Sequence, residues 1–225
     1  LLKTSSKLAA SHKIFLAELA GTFLIVVFAT GSVVIDAKAG GTLGTPFAAA
    51  APAVAVSLMV RAFGRISMAH FNPAVTVGFF ITKHAKASQL PVYFAAEIAG
   101  ALLASLFVKN VIGTEANLGA NAPNYSFSLP LIFGIEVLAT GFLMAVIYAA
   151  VFTRGLKGFG PYAIGSMVGL DILFLSFISG ASMNPARSLA PALLSGVMGD
   201  LWLYWSATFI GTWVVAVLFN RFARK

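Results

Sequence analysis

The chain has 225 residues, 59% of them hydrophobic and only 10% charged, with a net charge of +8 and a mean hydropathy of +0.92. A soluble surface needs more charge than this, and basic loops beside apolar runs are the ordinary membrane pattern, so the +8 gives no reason to invoke nucleic acid. The absence of cysteine excludes disulfides, thiolate metal sites and thiol nucleophiles.

In chain order, residues 1–13 are too polar for the apolar core of a secretory leader, and the run from Ile14 is long enough to span, so the first helix is expected to be retained. A bilayer core of ~30 Å needs roughly 20 apolar residues per helical crossing. Six stretches are read as spans: Ile14–Ile35, Phe47–Phe63, Leu90–Val108, Leu129–Phe152, Tyr162–Ile178 and Leu201–Phe219. Two shorter apolar stretches, Asn72–Ile81 and Asn184–Val197, lie between them. At 1.5 Å per residue each reaches only ~15–20 Å, so neither crosses alone. They are interfacial helices or re-entrant half-helices, the latter allowed only where irregular backbone is buried in protein or lines a wet cavity.

An internal repeat favours the second reading. Ile66-Ser-Met-Ala-His-Phe-Asn-Pro-Ala74 matches Ile178-Ser-Gly-Ala-Ser-Met-Asn-Pro-Ala186 at six of nine positions. Glu18-Leu-Ala-Gly-Thr-Phe-Leu also echoes Glu136-Val-Leu-Ala-Thr-Gly-Phe-Leu, with one residue inserted. Each half then holds three spans and one short helix, and an odd number of spans turns the second half upside down. The expected fold is an all-α membrane bundle of six transmembrane helices and two half-helices. It forms one domain over residues 1–225, with inverted repeats at approximately 14–108 and 129–219.

Six spans put Lys3, Lys7, Lys13, Lys83, Lys86, Arg154, Lys157, Arg221, Arg224 and Lys225 on one side, against Lys38 and Lys109 on the other. The positive-inside rule then predicts both termini in the cytoplasm. The stretch from Asn110 to Ser128 becomes an outside loop, in which Asn124-Tyr-Ser fits a glycosylation sequon of little weight.

Asn72 and Asn184 each precede a proline at the first helical position, where a missing N–H costs nothing. Either Asn alone would be read as a helix cap. Two of them in inverted halves can instead offer amide N–H groups to a shared pore, beside half-helix dipoles that place about half a positive charge at each N-terminus. Such an arrangement breaks a proton-conducting water chain and raises the barrier to cations.

These motifs carry a family resemblance. Over nearly its full length the sequence resembles the aquaporins, or major intrinsic proteins, through His70-Phe-Asn-Pro-Ala-Val-Thr and Ser179-Gly-Ala-Ser-Met-Asn-Pro-Ala-Arg-Ser-Leu. The second motif is especially similar to the nodulin-26-like branch. The resemblance implies a passive channel for water or small uncharged solutes such as glycerol, boric acid, urea or ammonia, one pore per subunit of a homotetramer, and no cofactor. The pore motifs would be Asn72, Pro73, Ala74, Asn184, Pro185 and Ala186. Arg187 would stand at the outer constriction with Ile172, Ala181 and, by ungapped spacing, Pro52; a shift of one residue would give Ala51 or Ala53. Strict water channels of the family typically have Phe and His at the helical positions, so aliphatic side chains imply a wider opening. Ser188, Ala192, Tyr204 and Trp205 match water-channel markers instead. Small residues four apart, Ala96/Gly100/Ala104 and Gly165/Gly169, fit close helix packing.

The intramembrane acids Glu18 and Glu136 sit at equivalent places in the repeat, where they can accept hydrogen bonds from backbone N–H groups of the broken loops; Glu97 is expected to face the interior too. Asp171, beside Ile172, is either protonated or paired. His70 lines the pore or packs the loop, and no second His or carboxylate stands at metal-ligand spacing from it. His84 is a solvated loop residue or a pH sensor. Two other classes remain as alternatives: a secondary transporter, which would need a coupling-ion site, and a poorly conducting scaffold of the same fold. No nucleophile–base pair or cofactor fingerprint supports an enzyme.

Overall fold

The computed structural model describes the backbone of residues 2–153, 155 and 158–222, with side chains from residue 11 onward. Of the basic residues counted above, Arg154, Lys157, Arg224 and Lys225 lie outside the described residues, as do the side chains of Lys3 and Lys7. Eight helices carry the fold. They are α1 Leu2–Lys38, α2 Gly44–Ser67, α3 Pro73–Ile81, α4 Leu90–Phe107, α5 Leu129–Phe152, α6 Gly160–Ser179, α7 Pro185–Ser195 and α8 Leu201–Phe222. All except α3 and α7 contain a window long and apolar enough to cross a bilayer, and there is no strand among the described residues.

Local chemistry sets most of the boundaries. Five helices (α3 to α7) open with proline in the first turn, where its fixed φ suits the helix and its missing N–H is not needed. Helix α2 runs on to Ser67 rather than stopping at Phe63, because Arg61 and Arg65 are exposed and do not interrupt the backbone ladder. It ends where Met68 turns left-handed, just as α6 ends at Gly180.

The packing has the symmetry of the repeat. Helix α1 packs on α2 and α4, while α5 packs on α6 and α8; α3 lies against α4 and α8, while α7 lies against α8 and α4. Exchanging the halves leaves this pattern unchanged, with the α2–α6 contact on the axis. Glycines fix the closest approaches. A Cβ on Gly100 of α4 would sit 2.6 Å from the carbonyl of Leu19 and 3.1 Å from Thr22 Cβ. One on Gly211 of α8 would strike the carbonyl of Val137 and come within 3.1 Å of Thr140 Cβ. Leu19 and Thr22 therefore correspond to Val137 and Thr140 without a gap. The insertion read in the sequence lies beyond Thr22, not within the conserved turn, because the two glycine contacts hold one register in both halves. Gly165 faces Ala53 and Ser57 of α2 in the same close manner.

Candidate functional site

Each half-helix is reached through a loop that the sequence makes conformationally costly. Met68, Ala69 and Phe71 have positive φ of 66°, 55° and 52°, and Gly180, Ala181 and Met183 repeat the pattern at 89°, 44° and 55°. Left-handed conformations cost non-glycine residues roughly 1–2 kcal/mol each. Buried carboxylates offset that cost. Glu18 on α1 accepts from Ser67 Oγ at 2.5 Å, His70 N at 3.0 Å and Phe71 N at 2.6 Å. Glu136 on α5 accepts from Ser182 N at 3.0 Å and Met183 N at 3.4 Å. Tyrosines close both loops from outside: Tyr93 Oη donates to Ser67 O at 2.6 Å and Tyr204 Oη to Ser179 O at 2.7 Å.

At the end of these loops the two asparagines meet. Asn72 Oδ1 accepts from Ala74 N at 2.9 Å, and its Nδ2 donates to Met183 O at 2.7 Å in the other half. Asn184 Oδ1 accepts from Ala186 N at 3.0 Å, and its Nδ2 donates to Phe71 O at 2.8 Å. Capping and donation are thus not alternatives. The amide oxygen caps the helix, one amide hydrogen ties the opposite loop, and the amide group has a second hydrogen. Both asparagines line the same cavity.

The polar shells behind them differ. In the first loop Thr76 Oγ1 donates to Glu97 Oε1 at 2.6 Å, so it accepts from His70 Nδ1 at 2.9 Å. This order makes Nδ1 the protonated nitrogen of His70 and leaves Nε2 as an acceptor. The ring is clamped between Tyr93 and Phe79, with centroids 4.2 Å and 4.6 Å away, and Glu97 Oε1 also accepts from Asn72 N at 3.2 Å. In the second loop the hydroxyls of Ser182 and Ser188 bond to each other, and Asn121 takes the organising place. Asn121 Oδ1 accepts from Arg187 Nη1 at 2.6 Å and Ser188 Oγ at 3.0 Å, while its Nδ2 donates to Gly180 O at 2.9 Å. Gly119 O is the second acceptor for Arg187 Nη1, at 2.9 Å. Arg187 is therefore held by carbonyl and amide oxygens of the loop between α4 and α5, a role for Asn121 that no local pattern in the sequence marked.

Two cavities run end to end through the bundle. The inner one, so called because it lies toward the end of the bundle where α1 begins, is about 210 Å³ and takes in His70, Phe71, Asn72, Asn184 and the apolar faces of α2, α5 and α6. The outer one, about 140 Å³, opens past Asp36, Thr45, Ala48 and Ser176. They share Ala29, Ile172, Ala181 and Arg187, which form the ring between them. Pro52 lines the inner cavity, whereas Ala51 and Ala53 line neither, Ala53 being turned to Gly165 and Gly169. Pro52 has no N–H, so it gives the carbonyl of Ala48, one turn earlier on the outer cavity wall, no helical donor. Pro191 withholds the same bond from the carbonyl of Arg187.

The remaining candidates fall outside the two cavities. Asp171 is buried, lines neither of them, and its Oδ2 has no hydrogen-bond partner among the described residues. The Asn124 amide is engaged on both sides, donating to Phe177 O and accepting from Ser126 N, which ties up the sequon nitrogen. Next to it Tyr125 donates to Asp200, an arrangement that raises the phenol above its ordinary pKa. His84 is exposed, bonds Thr82 through Nδ1 at 2.9 Å and rests on Phe152. Among the described residues no group of three His, Asp or Glu side chains is placed to hold a metal ion.

Comparison with known proteins gives a consistent picture. The family profile described as Major intrinsic protein matches residues 5–219. The chain is 34% identical over 221 residues to Aquaporin NIP1-2 of Oryza sativa subsp. japonica, covering 94% of this chain and 73% of that protein. It is 36% identical over 214 residues to Aquaporin NIP1-1 of Zea mays, covering 93% and 75%. Among solved structures, the aquaglyceroporin from Plasmodium falciparum superposes with a TM-score of 0.79, covering 95% of this chain and 97% of that one. At 24% identity this last likeness concerns the fold alone.

Proposed function

The chain belongs to the major intrinsic protein family, whose members are channels rather than enzymes, and from that premise we propose that it passes water and small uncharged solutes larger than water. One observation carries the wider substrate range. The ring between the two cavities has one charged side chain, Arg187, and three aliphatic ones, Ala29, Ile172 and Ala181. Aliphatic walls leave room for a carbon skeleton, while Arg187 and the freed carbonyls of Ala48 and Arg187 offer a donor and acceptors to hydroxyl or amide groups. Glycerol, boric acid, urea and ammonia are the solutes in question.

In this reading Asn72 and Asn184 orient each solute at the midpoint through their second amide hydrogens. Arg187 and the two half-helix N-termini repel cations, and the asparagine pair interrupts a proton wire. Pro73, Ala74, Pro185 and Ala186 set the turns that aim the asparagines, and Glu18, Glu136 and His70 support the loops. Pro52 bounds the inner side of the ring.

The protein is an integral multi-pass membrane protein. Cytoplasmic termini are supported by the basic residues at the inner loops, and a homotetramer by the resemblance to the family together with the outward apolar faces of α2 and α6, including Val54, Leu58 and Phe174.

Stopped-flow light scattering on proteoliposomes tests the substrate reading, comparing osmotic water flux with uptake of glycerol and boric acid. Solute uptake well above that of empty liposomes is the expected result. Fast water flux with no solute uptake would mean that the ring is narrower than its aliphatic lining implies.

A further inference from the structure

Position 68 breaks the repeat in a way that the pore reading above does not use. Ile66-Ser67-Met68-Ala69 corresponds to Ile178-Ser179-Gly180-Ala181, and both 68 and 180 end their helices in the left-handed region, at φ 66° and 89°. Glycine adopts this conformation without penalty, whereas methionine pays roughly 1–2 kcal/mol for it. Met68 thus stands against a backbone preference that its counterpart satisfies.

The surroundings explain why the two ends differ. At the outer end a Cβ on Gly180 would lie 3.2 Å from Tyr204 Oη and 3.3 Å from the Ala122 carbonyl, so α8 and the loop leave little room for a side chain. No such cover restrains the inner end. The Met68 side chain is 38% exposed and lines the inner cavity together with Val60, Gly64 and Val151. Gly64, one turn earlier, has nothing within 4 Å of where its Cβ would be, so the thioether has open space beside it.

Resting on the channel reading above, we propose that Met68 is a specificity-determining residue at the inner mouth of the pore, a soft apolar constriction in series with the ring at Arg187. An unbranched side chain with three rotatable bonds adapts to what passes it. Water slips by, while a bulkier solute must push the thioether aside. Resistances in series add, so the residue governs those solutes for which the inner mouth is the slower step.

The test uses the full chain in proteoliposomes, with water, urea and glycerol fluxes measured by stopped flow for the wild type and for Met68→Gly, Met68→Leu and Met68→Trp. Removing the side chain is expected to raise glycerol flux about threefold and water flux by less than about twofold, while Met68→Leu tracks the wild type and Met68→Trp lowers all three fluxes. Met68→Gly is also expected to raise the thermal midpoint, because glycine relieves the left-handed turn. A conducting wild type whose glycerol flux is indifferent to Gly and Trp at this position would overturn the proposal and leave the channel intact. A wild type that conducts nothing above empty liposomes would sink the channel reading itself, and this proposal with it. If the Trp variant does not incorporate, the Gly and Leu pair still decides.

Discussion

The two asparagine loops share one backbone and differ in what surrounds it. Both leave a long helix through left-handed residues, both hang on a buried glutamate, and both end in an asparagine that bonds the other loop. The first is backed by His70, Thr76 and Glu97, all within its own half. The second is backed by Ser182, Ser188 and Asn121, the last reaching in from the loop between α4 and α5. Position 75 is a buried valine, and its counterpart 187 is the arginine of the ring. The comparison separates the features that the two halves share from those that set one end apart from the other.

The largest expected effect comes from the shared device. Glu18→Ala orphans the Ser67 hydroxyl and two backbone N–H groups, and Glu136→Ala the corresponding Ser179 hydroxyl and two N–H groups, so a loss of about 3 kcal/mol is expected from each, read as thermal midpoints of purified protein. Clearly unequal losses would mean that the two supports are not equivalent.

Gly21 gives a somewhat smaller test. A Cβ there would strike the ring of Phe71, whereas in the second half the equivalent positions are Ala139 and Met183. Gly21→Ala is expected to destabilise by about 1–3 kcal/mol through overpacking. Adding Phe71→Met, which copies the second half's pairing, is expected to recover most of it. No recovery in the double variant would show that the two packings are not interchangeable.

Arg187→Val writes the first repeat's residue into the second. Proton or cation leak into dye-loaded liposomes is expected to rise about tenfold, with glycerol uptake retained. An unchanged leak would remove Arg187 from the permeation path. The smallest expected effect is none at all: with no cysteine in the chain, mercurial reagents are expected to leave the flux unchanged, and strong, thiol-reversible block would contradict that.

Much of this protein was legible without coordinates. Six apolar runs of spanning length, two short ones headed by Asn-Pro-Ala and an odd number of spans per repeat dictate an inverted bundle, because lipid admits few other ways to satisfy a backbone. The glutamates at 18 and 136 were visible as repeated acids in apolar helices. The repeat was read with one residue inserted, but where it falls was not legible, since side-chain identity alone could not weigh Phe23 against the glycine contacts at Gly100 and Gly211. The sequence also could not reveal that Asn121 would grip Arg187 from 66 residues away, that Thr76 would set the proton on His70, or that Ala29 of the first helix would complete the ring. Hydrophobic period and motif spacing are local properties of a chain and determine which segments cross and where they break. Which oxygen meets which nitrogen across the pore depends on segments far apart in sequence, and only their packing decides it.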